Sequence, residues 1–247
     1  MLAKCYGGTI NGVEASTVEI EVYSAHGTSS FAIVGLPDTA VKEAKDRVST
    51  ALKNSGYRSK DEYAVTVNLA PADVRKEGPI YDLPIAICLL KATKRLRTEE
   101  LAEYAMVGEL ALSGEVRRVR GILPIVLEMR RIGKRAILVP EPNAEEASVV
   151  TGIDVIPVRT LREAAMYLSG EIVIQPRFTD LADLVEVGVA RYELGEGIHH
   201  CDDRLAHLFL LHSGRNPESS GSCHSSALGG SCAAQLMFHF HIVFCKN

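Results

Sequence analysis

The sequence lacks the features that would place the chain in a membrane, outside the cell or on nucleic acid through its overall charge. No apolar run approaches the ~20 residues of a membrane-spanning helix. The N-terminal stretch MLAKCYGGTINGVEA has neither a long apolar core nor a small-residue cleavage site, which excludes a secretory signal peptide. A formal net charge of -4 excludes a global positive field, and leaves open only a local basic patch.

Cysteine usage and overall composition indicate a cytoplasmic globular protein. Six cysteines in a chain without an export signal predict reduced thiols in the cytoplasm. Two of them, Cys5 and Cys88, stand in apolar surroundings that are typical of small core residues. The 247 residues, 47% hydrophobic and 23% charged, can bury a sizeable core as one large domain or two small ones.

The composition changes near residue 195. Residues 1–194 contain 51 charged residues, whereas residues 195–247 contain 7, together with seven of the eight histidines and four of the six cysteines. This tail includes the low-complexity stretch SSGSCHSSALGGSC. Two interpretations remain open: a disordered or poorly packed segment, and the product of a frame-shifted or truncated gene.

The tail also contains side chains of the types that bind metal ions. They are Cys223, Cys232, His239, His241 and Cys245. Their spacing lacks the paired C-x2-C or H-x3-H pattern of zinc modules, so we expect no metal site in this chain.

Hydrophobic periodicity predicts alternating strands and helices over residues 17–170. Residues 17–23 alternate strictly, which is typical of a half-buried strand. Asp38 is expected to cap a helix that ends near Ser55, and Asp82 to cap a helix that is apolar almost all round and therefore buried. Further strands are predicted at 30–34, 64–69, 105–112, 115–119, 135–139 and 155–158, and further helices at 121–132, 144–150 and 160–168.

This alternation, with a hairpin turn at Ser113–Gly114, predicts an α/β or α+β domain: a mixed sheet with packed helices over residues 1–170. Residues 171–194 are predicted to be a linker, and residues 195–247 an atypical tail.

An ordered set of motifs runs through the predicted domain. It comprises IVGLPDTA (33–40), VNLAPAD (67–73), KEGP (76–79), DLPIA (82–86), GEL (108–110), GEVR (114–117) and VRG (119–121). The set resembles the N-terminal domain of the ComM/YifB-type, magnesium-chelatase-like AAA+ ATPases. The resemblance implies a fold similar to the proteolytic domain of Lon, a following AAA+ ATPase domain that is missing here, ring assembly, and a role in DNA branch migration during natural transformation.

The resemblance to Lon identifies two positions at which a peptidase would carry a serine nucleophile and its lysine base. A serine hydroxyl needs a neighbouring base to become reactive. The position after Gly78-Pro79 is Ile80, and the position of the lysine is Leu123. Both side chains are aliphatic, so we expect no catalytic residue in this chain.

A nucleotide site is not visible either. A P-loop requires G-x-x-x-x-G-K-[ST], and Gly133-Lys134 is followed by Arg135. We therefore expect no cofactor in this chain, with ATP and magnesium belonging to the missing ATPase domain.

Cationic side chains near the Gly-Pro turn and the hairpin are candidates for contacts with DNA phosphates. They are Arg75, Lys76, Arg117, Arg118 and Arg120. The alternative is that Arg117 and Arg118 pair with Glu109, Glu115 or a neighbouring subunit.

We therefore expect a non-catalytic domain that assists assembly or DNA contact in a DNA-processing ATPase. The alternatives are a residual serine-lysine peptidase and a magnesium-chelatase-like partner subunit.

Overall fold

Strands and helices alternate along the described residues of the computed structural model, which are 1–12, 14–57, 62–98 and 100–179. These residues belong to one unit, Met1–Gly195. The predicted tail at 195–247, with its possible metal ligands, and most of the predicted linker at 171–194 lie outside the described residues.

The strands of the described residues are β1 Leu2–Asn11, β2 Glu14–His26, β3 Ser30–Val34, β4 Tyr63–Ala70, β5 Tyr104–Met106, β6 Glu109–Leu110, β7 Val116–Arg117, β8 Ala136–Pro140 and β9 Asp154–Val158. Seven of them form one sheet, in the order β3-β4-β2-β1-β5-β8-β9. The β1–β2 and β2–β4 pairs are antiparallel and the other four pairs are parallel. The remaining two strands, β6 and β7, pair with each other.

The helices cover both faces of this sheet. They are α1 Thr39–Lys42, α2 Ala44–Asn54, α3 Asp82–Ala92, α4 Ile122–Arg131, α5 Ala144–Ala147 and α6 Leu161–Leu168. Alternate residues of β8 belong to different core clusters: Leu138 lies with residues of α2, α3 and α6, and Ile137 with residues of α4 and α5. Because successive strand residues point to opposite faces, the sheet is the middle of three layers. The predicted mixed α/β fold is confirmed.

The predicted strand at 17–23 is confirmed as part of β2, with Val18, Ile20 and Val22 buried as the alternation requires. The strand at 30–34 has the predicted bounds. The cap of the first helix is also confirmed, since the Asp38 carboxylate accepts a hydrogen bond from the Val41 amide at 2.7 Å.

The first strand of the sheet was not predicted from the sequence. In β1, Gly7 and Gly8 interrupt the apolar alternation that would have revealed it. The structure gives the reason for both glycines: a Cβ on Gly8 would lie 2.9 Å from Ile125 of α4, and one on Gly7 would lie 3.1 Å from the Met106 carbonyl. Only glycine allows α4 and β5 to approach the strand this closely.

Two predicted elements are each divided in the structure. The helix from Asp38 is split at Glu43 into α1 and α2. The predicted strand at 105–112 is split into β5 and β6, because the main chain of Gly108 bonds to residues around the start of α3 instead of to a neighbouring strand. The Gly108 amide donates to the Ile80 carbonyl at 2.9 Å, and the Gly108 carbonyl accepts from the Leu83 amide at 3.0 Å.

No helix in the described part of the chain is both long and apolar enough to cross a membrane.

Candidate functional site

The candidate site lies around the segment Lys76–Tyr81, where a peptidase of this fold would hold its nucleophile. Main-chain hydrogen bonds join this segment to the loop before α1: the Lys76 amide donates to the Leu36 carbonyl at 3.2 Å, and the Asp38 amide donates to the Lys76 carbonyl at 3.0 Å. The Asp38 carboxylate also accepts from the Gly78 amide at 3.0 Å. One aspartate therefore fixes both the start of α1 and the Gly78-Pro79 turn.

The end of β1 lies between the two groups of predicted cationic residues, one at 75–76 and the other at 117–120. The Thr9 hydroxyl donates to the Arg75 carbonyl at 3.4 Å. The next residue, Ile10, lies so close to Gly121 that a Cβ there would overlap its side chain. Gly121 adopts a left-handed conformation with φ of 65° at the start of α4, which glycine accommodates without strain. Residues 75 and 121 thus border the same strand end.

The two positions of a Lon-type dyad lie in apolar packing. Leu123, in the first turn of α4, is 4% exposed and belongs to the core cluster beneath that helix. Ile80 is half-buried and packs against the same cluster. Neither side chain can donate or accept a proton, and both contribute hydrophobic packing instead.

Lys76, predicted as a phosphate contact, is not a surface residue in this structure. Its side chain is buried, and the ammonium donates to the Pro71 carbonyl. Burial lowers the pKa of Lys76, because the charged form loses hydration, while Asp73 opposes this effect. Hydrophobic periodicity carries no signal for the burial of a lysine in a turn.

The four predicted arginines are exposed, and three of them pair with carboxylates. Arg75 Nε lies 3.2 Å from Glu77, and Arg117 Nη1 lies 3.3 Å from Glu109, which is one of the alternatives that the sequence left open. Arg118 pairs with Glu146 at 3.5 Å, a partner that the sequence did not suggest.

Arg120 is exposed, and no ion pair for it occurs within the described residues. Exposed ion pairs contribute about 0–1 kcal/mol to stability. The carboxylates therefore offset the charge of the three paired arginines but hold their side chains only weakly.

A buried ion pair behind the candidate site was missed in the sequence. Asp82, predicted as a helix cap, makes no capping bond; it accepts two hydrogen bonds from Arg47, at 2.6 and 3.0 Å, and one from the Leu110 amide at 3.2 Å. Burial raises the pKa of Asp82, and the Arg47 guanidinium opposes this effect. The pair ties α2 to the start of α3 and to β6, four residues after Gly78 along the chain.

Tyr81, at the end of the segment Lys76–Tyr81, has a buried side chain. Its hydroxyl lies near Thr9, yet it has no partner at hydrogen-bond geometry among the described residues. Burial raises the pKa of Tyr81 to about 12, so the phenol stays protonated at neutral pH.

Known proteins are similar in sequence to this chain over the domain that contains the site. A family model described as subunit ChlI of magnesium chelatase matches residues 20–143, which is half of the chain. Competence protein ComM of Haemophilus influenzae is 41% identical over 170 residues, which cover 69% of this chain and 33% of that protein. The uncharacterized protein YifB of Escherichia coli is 42% identical over 173 residues, which cover 68% of this chain and 33% of that protein.

A more distant similarity agrees with the fold. Lon protease 2 of Bacillus subtilis is 23% identical over 174 residues, which cover 64% of this chain and 30% of that protein. The chain spans about a third of the length of the ComM and YifB relatives it matches. With half of its residues matching the ChlI model and about 40% identity to these two relatives, the chain belongs to the ComM/YifB-type, magnesium-chelatase-like family.

Proposed function

We propose that residues 1–179 form a non-catalytic contact domain of a ComM-like ATPase that processes DNA during natural transformation. The observation that carries the proposal is the apolar packing of Ile80 and Leu123 at the two positions of the Lon-type dyad. Without a hydroxyl and an amine at these positions, acyl transfer has no nucleophile and no base. In this proposal ATP and magnesium bind a separate ATPase domain.

The charge pattern around the site supports contact with another protein subunit. Arg75, Arg117 and Arg118 each have a carboxylate within 3.2–3.5 Å, so cationic and anionic groups alternate on this surface. Such a surface complements a second copy of itself better than a phosphate backbone, which the carboxylates would repel. We therefore infer a role in the assembly of subunits.

Contact with DNA is the second candidate function, and the exposed Arg120 favours it. Its guanidinium has no carboxylate partner in the described part of the chain, and the Arg117 and Arg118 pairs are weak enough for phosphate to displace. Each phosphate contact made by these arginines would steepen the dependence of DNA affinity on salt by about 0.9 in log–log slope.

One pair of variants tests both kinds of contact. Self-association is measured by sedimentation velocity, and DNA retention by filter binding, each at low and high salt. Arg117→Ala with Arg118→Ala is compared with Arg130→Ala with Arg131→Ala, which removes the same charge from the C-terminal end of α4. The assembly role predicts salt-sensitive association that only the first variant weakens. A chain that stays monomeric and binds no DNA at low salt contradicts both contact roles.

The absence of peptidase activity is tested separately. We expect no turnover of an unfolded protein, and no labelling by a serine-directed fluorophosphonate beyond that of the heat-unfolded chain. Labelling of a serine that requires the folded chain would establish the alternative, a residual peptidase.

A further inference from the structure

Two buried cysteines meet between the sheet and a helix. Cys5 belongs to β1 and Cys88 to α3, and neither side chain is exposed to solvent. Their Sγ atoms are 3.1 Å apart. A disulfide bond has a length of about 2.0 Å, so an approach of about 1 Å would bring the two sulfurs to bonding distance.

We propose that Cys5 and Cys88 are a site of reversible oxidation, at which a small peroxide converts the two thiols into a disulfide that joins β1 to α3. One sulfur attacks hydrogen peroxide, so that an S–O bond forms, the O–O bond breaks and a water leaves. The second sulfur attacks the resulting sulfenic acid, so that the S–S bond forms, the S–O bond breaks and a second water leaves. Two thiols lose two electrons, and one peroxide becomes two waters.

The burial of the pair restricts the oxidant to a small molecule and makes the reaction slow. The Cys5 thiol donates to the Pro84 carbonyl at 3.8 Å, and the Cys88 sulfur lies 3.8 Å from the Ile20 carbonyl. Burial raises the pKa of the Cys88 thiol well above its usual range, because a thiolate there would lose its hydration. The pair therefore reacts slowly, and a bulky disulfide oxidant reacts with it more slowly than hydrogen peroxide does.

The bond would connect the two elements whose ends shape the candidate site. On β1, Cys5 lies four residues before Thr9, which contacts the Arg75 carbonyl. On α3, Cys88 lies six residues after Asp82, the partner of Arg47. Oxidation therefore fixes the distance between the strand end and the segment that follows the Gly78-Pro79 turn.

The test uses the full chain under native conditions. The protein is treated with hydrogen peroxide, the remaining thiols are alkylated, and a digest without reductant is analysed by mass spectrometry. We expect a peptide pair linked through Cys5 and Cys88, two hydrogens lighter than the separate peptides and lost after treatment with dithiothreitol. A cross-link across a loop of this length should also raise the Tm by at least about 5 °C.

Two variants separate this pair from the other cysteines. Cys88→Ala should show neither the linked peptide nor the rise in Tm, whereas Cys223→Ala, which removes a cysteine of the tail, should keep both. The proposal is overturned if Cys5 and Cys88 stay reduced while the other cysteines oxidise. It is also overturned if the link forms only in denaturant, or forms without raising the Tm. Peptide mapping of the unsubstituted chain decides the matter even if Cys88→Ala does not fold.

Discussion

At the scale of single residues, the buried pair of Arg47 and Asp82 is the main electrostatic feature behind the candidate site. The Asp82 carboxylate is fully buried, and the Arg47 side chain is 20% exposed. Removing one partner of such a pair leaves a charge without compensation in the interior, which costs more than the pair itself contributes.

Arg47→Ala should therefore lower the free energy of unfolding by about 3 kcal/mol at neutral pH. Arg75→Ala is the matched control: it removes an exposed partner of Glu77 and should cost less than about 1 kcal/mol. Both values come from urea unfolding. Equal losses in the two variants would contradict the assignment of a buried pair.

The cost of Arg47→Ala should also depend on pH. Burial raises the pKa of Asp82 and the Arg47 guanidinium opposes this rise. Removing Arg47 therefore raises the pKa of Asp82 in the folded state further. A folded state that binds the proton more tightly than the unfolded chain gains stability as the pH falls through this raised pKa. The difference between the variant and the parent chain should shrink from pH 7 to about pH 5 in urea unfolding, and a constant difference would exclude Asp82 as its source.

The hydroxyl of Tyr81 offers a second test at this scale. Because it has no partner at hydrogen-bond geometry in the described part of the chain, its desolvation is uncompensated, and Tyr81→Phe should raise the free energy of unfolding by about 1 kcal/mol. Ser24→Ala removes a buried hydroxyl that donates to the Ala92 carbonyl at 2.8 Å, and should cost about 1 kcal/mol. If thermal unfolding reverses this order, the Tyr81 hydroxyl has a partner in solution.

At the scale of elements, β1 is central because glycines let neighbouring elements approach it. The strand pairs with β2 on one side and β5 on the other, and α4 packs across it at Gly8. Its end at Thr9 and Ile10 then reaches the candidate site, so packing along the strand determines where that end lies.

Gly8→Ala should lower the free energy of unfolding by about 1–3 kcal/mol, because the new Cβ would lie 2.9 Å from Ile125. Combining it with Ile125→Ala should cost less than the sum of the two single substitutions, since the smaller side chain makes room for the methyl group. Additive costs in this double-mutant cycle would show that the contact does not limit the approach of α4.

At the scale of the whole molecule, the segment after α6 continues onto the sheet. The Arg177 amide donates to the Val155 carbonyl at 2.8 Å, alongside the edge strand β9, and the Thr179 amide donates to the Ser148 carbonyl at 3.4 Å. Ile174 packs against the core. Part of the predicted linker thus contacts the domain, through Ile174, Arg177 and Thr179.

A chain ending at residue 179 should therefore have a Tm about 5 °C higher than one ending at residue 170. The difference corresponds to about 2 kcal/mol from the packing of Ile174 and the main-chain hydrogen bonds of Arg177 and Thr179. Calorimetry of the two chains measures it directly. Equal Tm values would mean that residues 171–179 contribute nothing to the stability of the domain.

The sequence by itself determined which residues form most of the strands and helices, and it identified Ile80 and Leu123 as aliphatic at the dyad positions. Both follow from local information, since periodicity reports the buried face of an element and a motif reports identity at a position. Only the tertiary structure decided the place of β1, the pairing of Asp82 with Arg47, the burial of Lys76 and the contact of Cys5 with Cys88. These partners lie far apart in sequence, except for Lys76 and Pro71, and a pattern along the chain shows that a side chain is buried without showing what it meets.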